Sequence, residues 1–222
     1  MNLYSQNIIN HMGEDINYID ENNLKQGVWK IYSENEEHAP EGTVYLECKF
    51  KDGIIDGVIN IKKGRKILIE ITPDNDSKKA SFRATMGSKE ITGYIIKGNK
   101  KYDILDSSGI SHTVKIRDWI LQNIEFKPLF YGGTENLKNF LRKIIDLKNV
   151  NGEKGRVVVK YTVDINGYVI NPVIIENDNI KTDKNYLLEQ EALRIFNFFP
   201  RMQPGFQGLR FVKANFTLPI SF

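Results

Sequence analysis

One stretch decides the fold of the C-terminal part of this chain: Gly155-Arg156-Val157-Val158-Val159-Lys160-Tyr161-Thr162-Val163, followed by the turn Asp164-Ile165-Asn166-Gly167. The stretch alternates and is rich in β-branched residues, so it predicts a strand with Val157, Val159, Tyr161 and Val163 on one face. The Asn-Gly pair predicts a tight hairpin turn. Residues 168–175 then form the returning strand, and Pro172 predicts that this strand is irregular or lies at an edge.

Two helices and a last strand surround this hairpin in the sequence. Residues 134–147 place apolar side chains three and four positions apart, which is typical of a helix with one buried face. A second apolar stripe begins near Asp183 and ends before Pro200. Residues 209–218 alternate again and predict the last strand. The fold class predicted for residues 129–222 is therefore α+β, a two- to three-stranded antiparallel sheet packed on two helices.

The N-terminal half predicts an antiparallel β-meander over residues 22–116. Short alternating runs follow one another at roughly ten-residue spacing, and glycines mark the turns between them. Residues 1–21 are polar and predict a flexible tail. Residues 117–128 form a junction whose side chains, Trp119 and Ile120 among them, are too apolar for a loose linker.

Part of the meander resembles a known repeat. Gly27-Val28-Trp29-Lys30-Ile31-Tyr32 and Lys49-Phe50-Lys51-Asp52-Gly53-Ile54-Ile55-Asp56-Gly57 combine glycines and aromatic residues at strand starts and turns. Over about residues 24–72 this pattern is similar to degenerate MORN-type repeats. The resemblance implies stacked hairpins that bury their faces against one another.

Composition narrows the classes of partner. The chain has 222 residues, with 31 basic and 28 acidic side chains and a net charge of +3. A net charge so near zero does not favour nucleic acid as the partner. No stretch of the sequence is long and apolar enough to insert directly into a membrane. The run Lys62-Lys63-Gly64-Arg65-Lys66 is interpreted as solvated turn charges, in preference to a phosphate site.

The single cysteine and the N-terminus bear on disulfide formation and on the cellular compartment. Cys48 is the one cysteine, so no intramolecular disulfide forms, and its position in a strand predicts a small buried apolar residue. The N-terminus has no signal-peptide pattern. As written, the chain is expected to be soluble and cytoplasmic, with the periplasm as the alternative if an N-terminal segment has been removed.

The sequence offers no pattern for catalysis. The histidines His11, His38 and His112 are far apart and have no metal-ligand spacing. Nucleotide-binding glycine loops and nucleophile elbows are absent from the sequence. The expectation is a non-enzymatic binding protein with no catalytic residue, no cofactor and no metal.

At the C-terminus the chain resembles the C-terminal domain of TonB proteins, over about residues 130–222. The matching residues are Phe130-Tyr131-Gly132-Gly133, Gly155–Val159, Val163-Asp164 with Gly167 and Val169, Glu191-Ala192-Leu193-Arg194, Pro200, Pro204-Gly205, Gly208, and Leu218-Pro219-Ile220 with Phe222. Three departures are Tyr131, where the family usually has proline, Met202, where it usually has tryptophan, and the missing Tyr-Pro pair that is common before the first strand. None of these is catalytic.

The resemblance implies how the domain acts. In the family, the exposed edge strand pairs with a short peptide from an outer-membrane receptor, by β-strand addition, and this pairing serves TonB-dependent transport. The corresponding partner-binding residues here are those of the last strand: Leu209, Arg210, Phe211, Val212, Lys213, Ala214, Asn215, Phe216 and Thr217. Which of the alternating side chains face outward is left open by the sequence.

Two alternatives stand beside this hypothesis. The first is a soluble immunity or antitoxin-like protein that neutralises a toxin, since degenerate MORN-like repeats occur in families labelled antitoxins. The second is self-association into a homodimer through unpaired sheet edges. Beyond these two, an enzyme on an unrecognised scaffold, with its residues scattered across strands, is the remaining hypothesis.

Overall fold

The structure is a computed structural model. It describes residues 7–11, 13–33, 44–74, 78–97, 102–107, 119–121, 123–177 and 186–222. The chain divides into two compact units. The N-terminal unit comprises residues 7–127 together with 206–211, and the C-terminal unit comprises residues 128–205 and 212–222.

The elements occur in the following order. The first eleven strands are β1 (Ile9–His11), β2 (Glu14–Ile16), β3 (Tyr18–Ile19), β4 (Lys25–Tyr32), β5 (Val44–Lys51), β6 (Ile54–Ile55), β7 (Ile59–Lys63), β8 (Lys66–Pro73), β9 (Lys79–Met86), β10 (Lys89–Lys97) and β11 (Tyr102–Asp106). After these come helix α1 (Gly133–Ile144), a 3-10 helix (Leu147–Val150), β12 (Arg156–Val163), β13 (Val169–Asn177), helix α2 (Leu187–Phe196), β14 (Gly205–Gln207), β15 (Arg210–Val212) and β16 (Ala214–Ser221).

The N-terminal unit is built on one antiparallel meander. Its strands lie in the order β11-β10-β9-β8-β7-β5-β4-β3, and β6 pairs with β5 beside this path. Alternate residues of each strand face a single core, as in β4, where Trp29 and Ile31 are fully buried. The predicted meander is confirmed. Its predicted strand at residues 112–116 lies outside the described residues.

Residues 7–20 differ from the predicted flexible tail. They form β1, β2 and β3, and Ile16 and Ile19 are buried. Asn17 holds this segment on β4, since its side-chain amide donates to the Lys30 carbonyl (3.0 Å) and accepts from the Lys30 N–H (2.7 Å). The Asn17 side chain thus bonds to the β4 backbone as a neighbouring strand would. A composition rich in asparagine does not predict such a contact.

The predicted junction supplies core residues to the N-terminal unit. Ile120 and Ile124 are fully buried in the same cluster as Trp29. Phe126 exchanges backbone hydrogen bonds with Phe206, each 2.9 Å long. This bridge aligns the hairpin β14–β15 with the chain that leaves the meander.

The C-terminal unit is a three-stranded antiparallel sheet in the order β13-β12-β16, with helices packed against it. Its core consists of inward residues of β12 and apolar residues of α2, such as Leu188 and Ile195. The α+β class and the three-stranded sheet are confirmed. Helix α2 ends at Phe196, four residues before Pro200, and its predicted start at Asp183 lies outside the described residues.

Candidate functional site

The central strand of the C-terminal unit has one fully apolar face. Val157, Val159 and Val163 are buried completely, and Tyr161 is 4 % exposed. Burial raises the pKa of Tyr161 to about 12, so its hydroxyl stays neutral. The prediction that these four residues share a face is confirmed, and that face sets the orientation of both neighbouring strands.

The last strand, β16, alternates in step with β12. Phe216 lies opposite Tyr161, Leu218 opposite Val159, and the buried Ile220 opposite Val157. Asn215, Thr217, Pro219 and Ser221 are exposed on the other face. The structure thereby settles which side chains point outward.

Backbone groups of β16 divide between its two sides. The Phe222 N–H donates to the Gly155 carbonyl at 2.9 Å. Because N–H and C=O directions alternate along an antiparallel strand, the inward-facing residues of β16 direct their backbone groups to β12. The outward-facing residues direct theirs away from it, and these are Asn215, Thr217, Pro219 and Ser221. Within the described part of the chain, β12 is the one strand that pairs with β16.

Pro219 is consistent with this geometry. It has no N–H, so it interrupts a ladder when it faces a neighbouring strand, and it is tolerated where that side faces solvent. Here Pro219 points its backbone away from β12. The edge therefore presents three N–H donors, from Asn215, Thr217 and Ser221, and four carbonyl acceptors.

The other edge of the sheet, β13, is less regular. Its pairing with β12 shifts register between Val158 and Val159 and again between Lys160 and Thr162. Asn171 has a positive φ of 53°, and Pro172 follows it. Such bulges and prolines discourage another strand from pairing. The pairing of β16 with β12 has no register shift over eight residue pairs.

The predicted partner-binding residues fall into two separate elements. The predicted strand 209–218 is interrupted at Lys213. Arg210, Phe211 and Val212 form β15, which pairs with β14, and residues 214–217 belong to β16. Leu209 has a positive φ of 60°, as has Gly208 at 59°, and two such residues form the turn of a two-residue hairpin.

Phe211 has a structural role in the N-terminal unit. Its ring contacts those of Trp29 (5.4 Å between centroids), Phe50 (5.6 Å) and Phe206 (5.4 Å), all edge to face. The ammonium group of the buried Lys25 lies 4.9 Å from the Trp29 ring and 5.0 Å from the Phe211 ring. Phe211 therefore completes an aromatic cluster around a lysine.

A rigid turn joins β12 to β13. The Asp164 carboxylate accepts from the N–H groups of Asn166 and Tyr168, both at 2.8 Å. Gly167 has a φ of +89°, and a Cβ there would lie 2.0 Å from the Met202 carbonyl oxygen. Arg201 donates to the Asn166 carbonyl from Nε (3.1 Å) and Nη2 (3.0 Å). Burial lowers the pKa of Arg201, which stays charged.

A buried ion pair connects α2 to the end of α1. The Glu191 carboxylate accepts from Arg194 Nε (2.6 Å), from Asn149 Nδ2 (2.7 Å) and from the Asp146 N–H (2.8 Å). Burial alone raises the pKa of Glu191, but these hydrogen bonds outweigh it and hold the pKa below its ordinary value. Glu191 and Arg194 therefore hold the scaffold behind the sheet.

The structure shows the positions of the cysteine and of one of the three histidines. Cys48 is 2 % exposed, as predicted, and burial raises the pKa of its thiol to about 12. His11 packs edge to face on Tyr32, while His38 and His112 lie outside the described residues. Among the residues that can be described, no three His, Cys, Asp or Glu side chains are grouped to hold a metal ion.

The comparisons with known proteins bear on the last third of the chain. Residues 149–222 match the family model described as Gram-negative bacterial TonB protein C-terminal. The predicted TonB C-terminal domain is confirmed over that segment. Domains of this family are non-catalytic interaction domains linked to transport, and they bind proteins such as outer-membrane receptors. The match does not include residues 24–72, so the resemblance to MORN-type repeats stays a prediction.

Comparison with curated proteins and with solved structures found no match. Within the described ranges, no helix is both long enough and apolar enough to cross a membrane.

Proposed function

We propose that the C-terminal unit binds an extended peptide segment of a protein partner by adding it as a fourth strand beside β16. One observation supports this above all: β16 is a regular eight-residue strand with a row of backbone groups directed away from its neighbour β12. An added strand gains affinity from such groups whatever its sequence, and side chains supply the selectivity.

The edge geometry limits what the partner presents. Its backbone accepts from Asn215, Thr217 and Ser221, and opposite Pro219 it receives no hydrogen bond. Side chains that alternate along the partner lie next to Phe216 and Leu218 on one face. On the other face they lie next to Asn215 and Thr217, where the Thr162 hydroxyl donates to Asn215 Oδ1 at 2.7 Å.

The charges near this edge favour an acidic peptide. Arg156 and Lys160 are exposed on β12, and Lys213 is exposed directly before β16. Charge complementarity raises the association rate and selects among partners more than it raises affinity. We infer that binding weakens as the salt concentration rises.

The binding set proposed here differs from the one inferred from the sequence. Asn215 and Thr217 keep the assigned role, and Pro219 and Ser221 join them. Arg210, Phe211 and Val212 form β15, and Leu209 lies in the turn before it, so we propose that none of these four contacts the partner. The partner class is an outer-membrane receptor or a protein with a similar exposed segment, and the compartment is the periplasm, where domains of this family usually work.

Two variants at one position test the proposal. Thr217→Pro removes an edge N–H and leaves the ladder to β12 intact, whereas Thr217→Ala removes the side chain and keeps the N–H. The probes are synthetic peptides covering the periplasmic segments of outer-membrane receptors from the same genome, titrated against the full chain. Thr217→Pro should weaken binding roughly tenfold, about the value of one lost hydrogen bond, and Thr217→Ala should change it less.

Amide-resolved NMR identifies the surface used. Binding by strand addition should shift the amides of Asn215, Thr217 and Ser221 most strongly, and it should slow their exchange with solvent. If the peptides bind while these amides stay unchanged, or if the proline and alanine variants bind equally well, strand addition at β16 is wrong.

A further inference from the structure

The sequence contains two Asn-Gly pairs, in Val150-Asn151-Gly152 and in Ile165-Asn166-Gly167. In such a pair the backbone nitrogen of the glycine is able to attack the side-chain carbonyl carbon of the asparagine, since glycine has no Cβ to hinder the approach. A β-branched residue precedes both pairs. A difference in their reactivity therefore comes from the fold, and one chain contains both the site and its comparison.

The first pair lies at the tip of an exposed turn. The Glu153 N–H closes this turn by donating to the Val150 carbonyl at 2.8 Å. Asn151 has φ 49° and Gly152 has φ 78°, and two successive positive φ values are typical of a type I′ turn. Both residues are exposed. Among the described residues, the Gly152 N–H has no hydrogen-bond acceptor.

The second pair is held in a rigid turn. The Gly167 N–H itself closes that turn by donating to the Asp164 carbonyl at 3.1 Å. The Asp164 carboxylate accepts from the N–H groups of Asn166 and Tyr168, and Arg201 donates twice to the Asn166 carbonyl. Gly167 is buried. The attacking nitrogen is thus already bonded, and the turn opens only when several hydrogen bonds break.

We propose that Asn151 is a site of spontaneous deamidation and that the fold protects Asn166 from the same reaction. The deprotonated Gly152 nitrogen attacks Cγ of Asn151, the new N–Cγ bond forms, and the Cγ–Nδ2 bond breaks. Solvent returns the proton to the leaving nitrogen, which departs as ammonia. Water then opens the succinimide. Opening at the side-chain carbonyl gives aspartate, and opening at the backbone carbonyl gives isoaspartate.

The turn at Asn151 must open before this reaction. Its ψ of 34° keeps the Gly152 nitrogen away from Cγ, and rotation about ψ breaks the bond from Glu153 to Val150. Exposed turns open locally at a low cost in free energy, and they move within nanoseconds to microseconds, far faster than amide chemistry proceeds. Val150 is fully buried and anchors the chain on one side of the turn.

The modification alters the connection between the 3-10 helix and β12. It replaces a neutral amide with a carboxylate, so the net charge falls by one. Isoaspartate also adds one methylene group to the main chain. The turn precedes β12 and is not part of the sheet, so the strands keep their pairing. The exposed isoaspartyl carboxyl group is then a substrate for methyltransferases that act on this group.

Incubation of the full chain at mildly alkaline pH, followed by peptide mass spectrometry, tests the proposal. Deamidation should be at least roughly tenfold faster at Asn151 than at Asn166, since the second turn must break more hydrogen bonds to open. An isoaspartyl methyltransferase should label the peptide that contains Asn151. Asn151→Gln lengthens the side chain, so the five-membered ring does not form and the label should be lost.

Two controls separate the effect of the fold from that of the sequence. In urea sufficient to unfold the chain, both pairs should react at similar rates. Asp164→Ala removes the acceptor for the Asn166 and Tyr168 N–H groups and should raise the rate at Asn166 in the folded protein. Asp164→Asn keeps an acceptor oxygen and should raise this rate less. Thermal unfolding checks that each variant folds.

Two results would overturn the proposal. One is an equal rate at the two pairs in the folded chain. The other is reaction of Asn151 in urea alone, which would mean that its turn protects it as well. If a folded Asp164→Ala variant left Asn166 unreactive, the protection assigned to the second turn would be wrong.

Discussion

At the scale of single residues, the buried carboxylate of Glu191 accepts hydrogen bonds on both of its oxygens. Its side chain is fully buried, and three donors from two different elements surround it. Arg194 also donates to the Ile144 carbonyl at the end of α1. One ion pair thus closes a helix end whose backbone groups would otherwise lack partners.

Glu191 therefore makes stability depend on pH. Its pKa is lowered in the folded protein, so its stabilisation is fully present above the ordinary value of 4.5 and is lost as the pH falls through the folded value. Glu191→Gln should lower the free energy of unfolding by about 1–3 kcal/mol at neutral pH. Denaturant unfolding at several pH values should show this difference shrinking in acid.

The control for this prediction is Glu135→Gln. Glu135 lies on α1 with its side chain half exposed, and it pairs with Lys138 at 3.2 Å. Exposed pairs of this kind contribute less than about 1 kcal/mol. A Glu191→Gln penalty that stayed constant into acid would contradict the assigned role of the charge.

At the scale of elements, residues 206–211 of the hairpin β14–β15 belong to the N-terminal unit. Phe206 is fully buried there, and Phe211 contacts Trp29 and Phe50. Leu209 in its turn has a left-handed backbone that is unfavourable for a bulky residue. Packing of the hairpin therefore compensates for local strain.

Phe211→Ala should destabilise the N-terminal unit by about 3 kcal/mol, because it removes three aromatic contacts and leaves a cavity beside Lys25. Tryptophan fluorescence during denaturant unfolding follows that unit, because Trp29 and Trp119 both belong to it. Ile54→Ala, at an exposed position, should change stability by less than about 0.5 kcal/mol. If Phe211→Ala behaved as Ile54→Ala does, the hairpin would not be part of this core.

At the scale of the whole molecule, no single cut in the chain separates the two units. Residues 206–211 lie near the C-terminus in sequence but belong to the N-terminal unit. A fragment ending at residue 127 therefore lacks Phe206 and Phe211. A fragment of residues 128–222 keeps its own core and exposes both phenylalanines to water.

We expect the fragment of residues 1–127 to unfold at a lower temperature than the N-terminal unit of the full chain, since apolar burial is lost. Hydrogen exchange measured by mass spectrometry on both proteins checks this, with faster exchange expected in β4 and β5. Equal protection of these strands in the fragment and the full chain would show that residues 206–211 contribute little.

Much of the fold could be predicted from the sequence because its signals are local. Alternation along β12, the Asn-Gly turn and the glycines of the meander each specify a conformation within a few residues. The tail is the exception. Residues 7–20 form β1, β2 and β3, and Asn17 holds this segment on β4 through Lys30, a contact between positions thirteen apart that composition does not encode.

The candidate site was predictable in its location and less so in its detail. The alternation of residues 209–218 is interpreted as one continuous strand. Two shorter strands with a break between them would show the same alternation. The strand breaks at Lys213 because Phe211 packs in the aromatic cluster with Trp29 and Phe50, while Phe216 packs on Tyr161. Two separate cores compete for neighbouring side chains, and a local pattern contains no information about either.

By itself, then, the sequence determined the class of elements, the apolar face of β12 and the resemblance to the TonB C-terminal domain, because these depend on side chains a few positions apart. Only the tertiary structure decided which backbone groups of β16 point away from β12 and where the hairpin of Phe211 packs. These features depend on strand register and on contacts between distant segments, whose energies arise when the chain is folded.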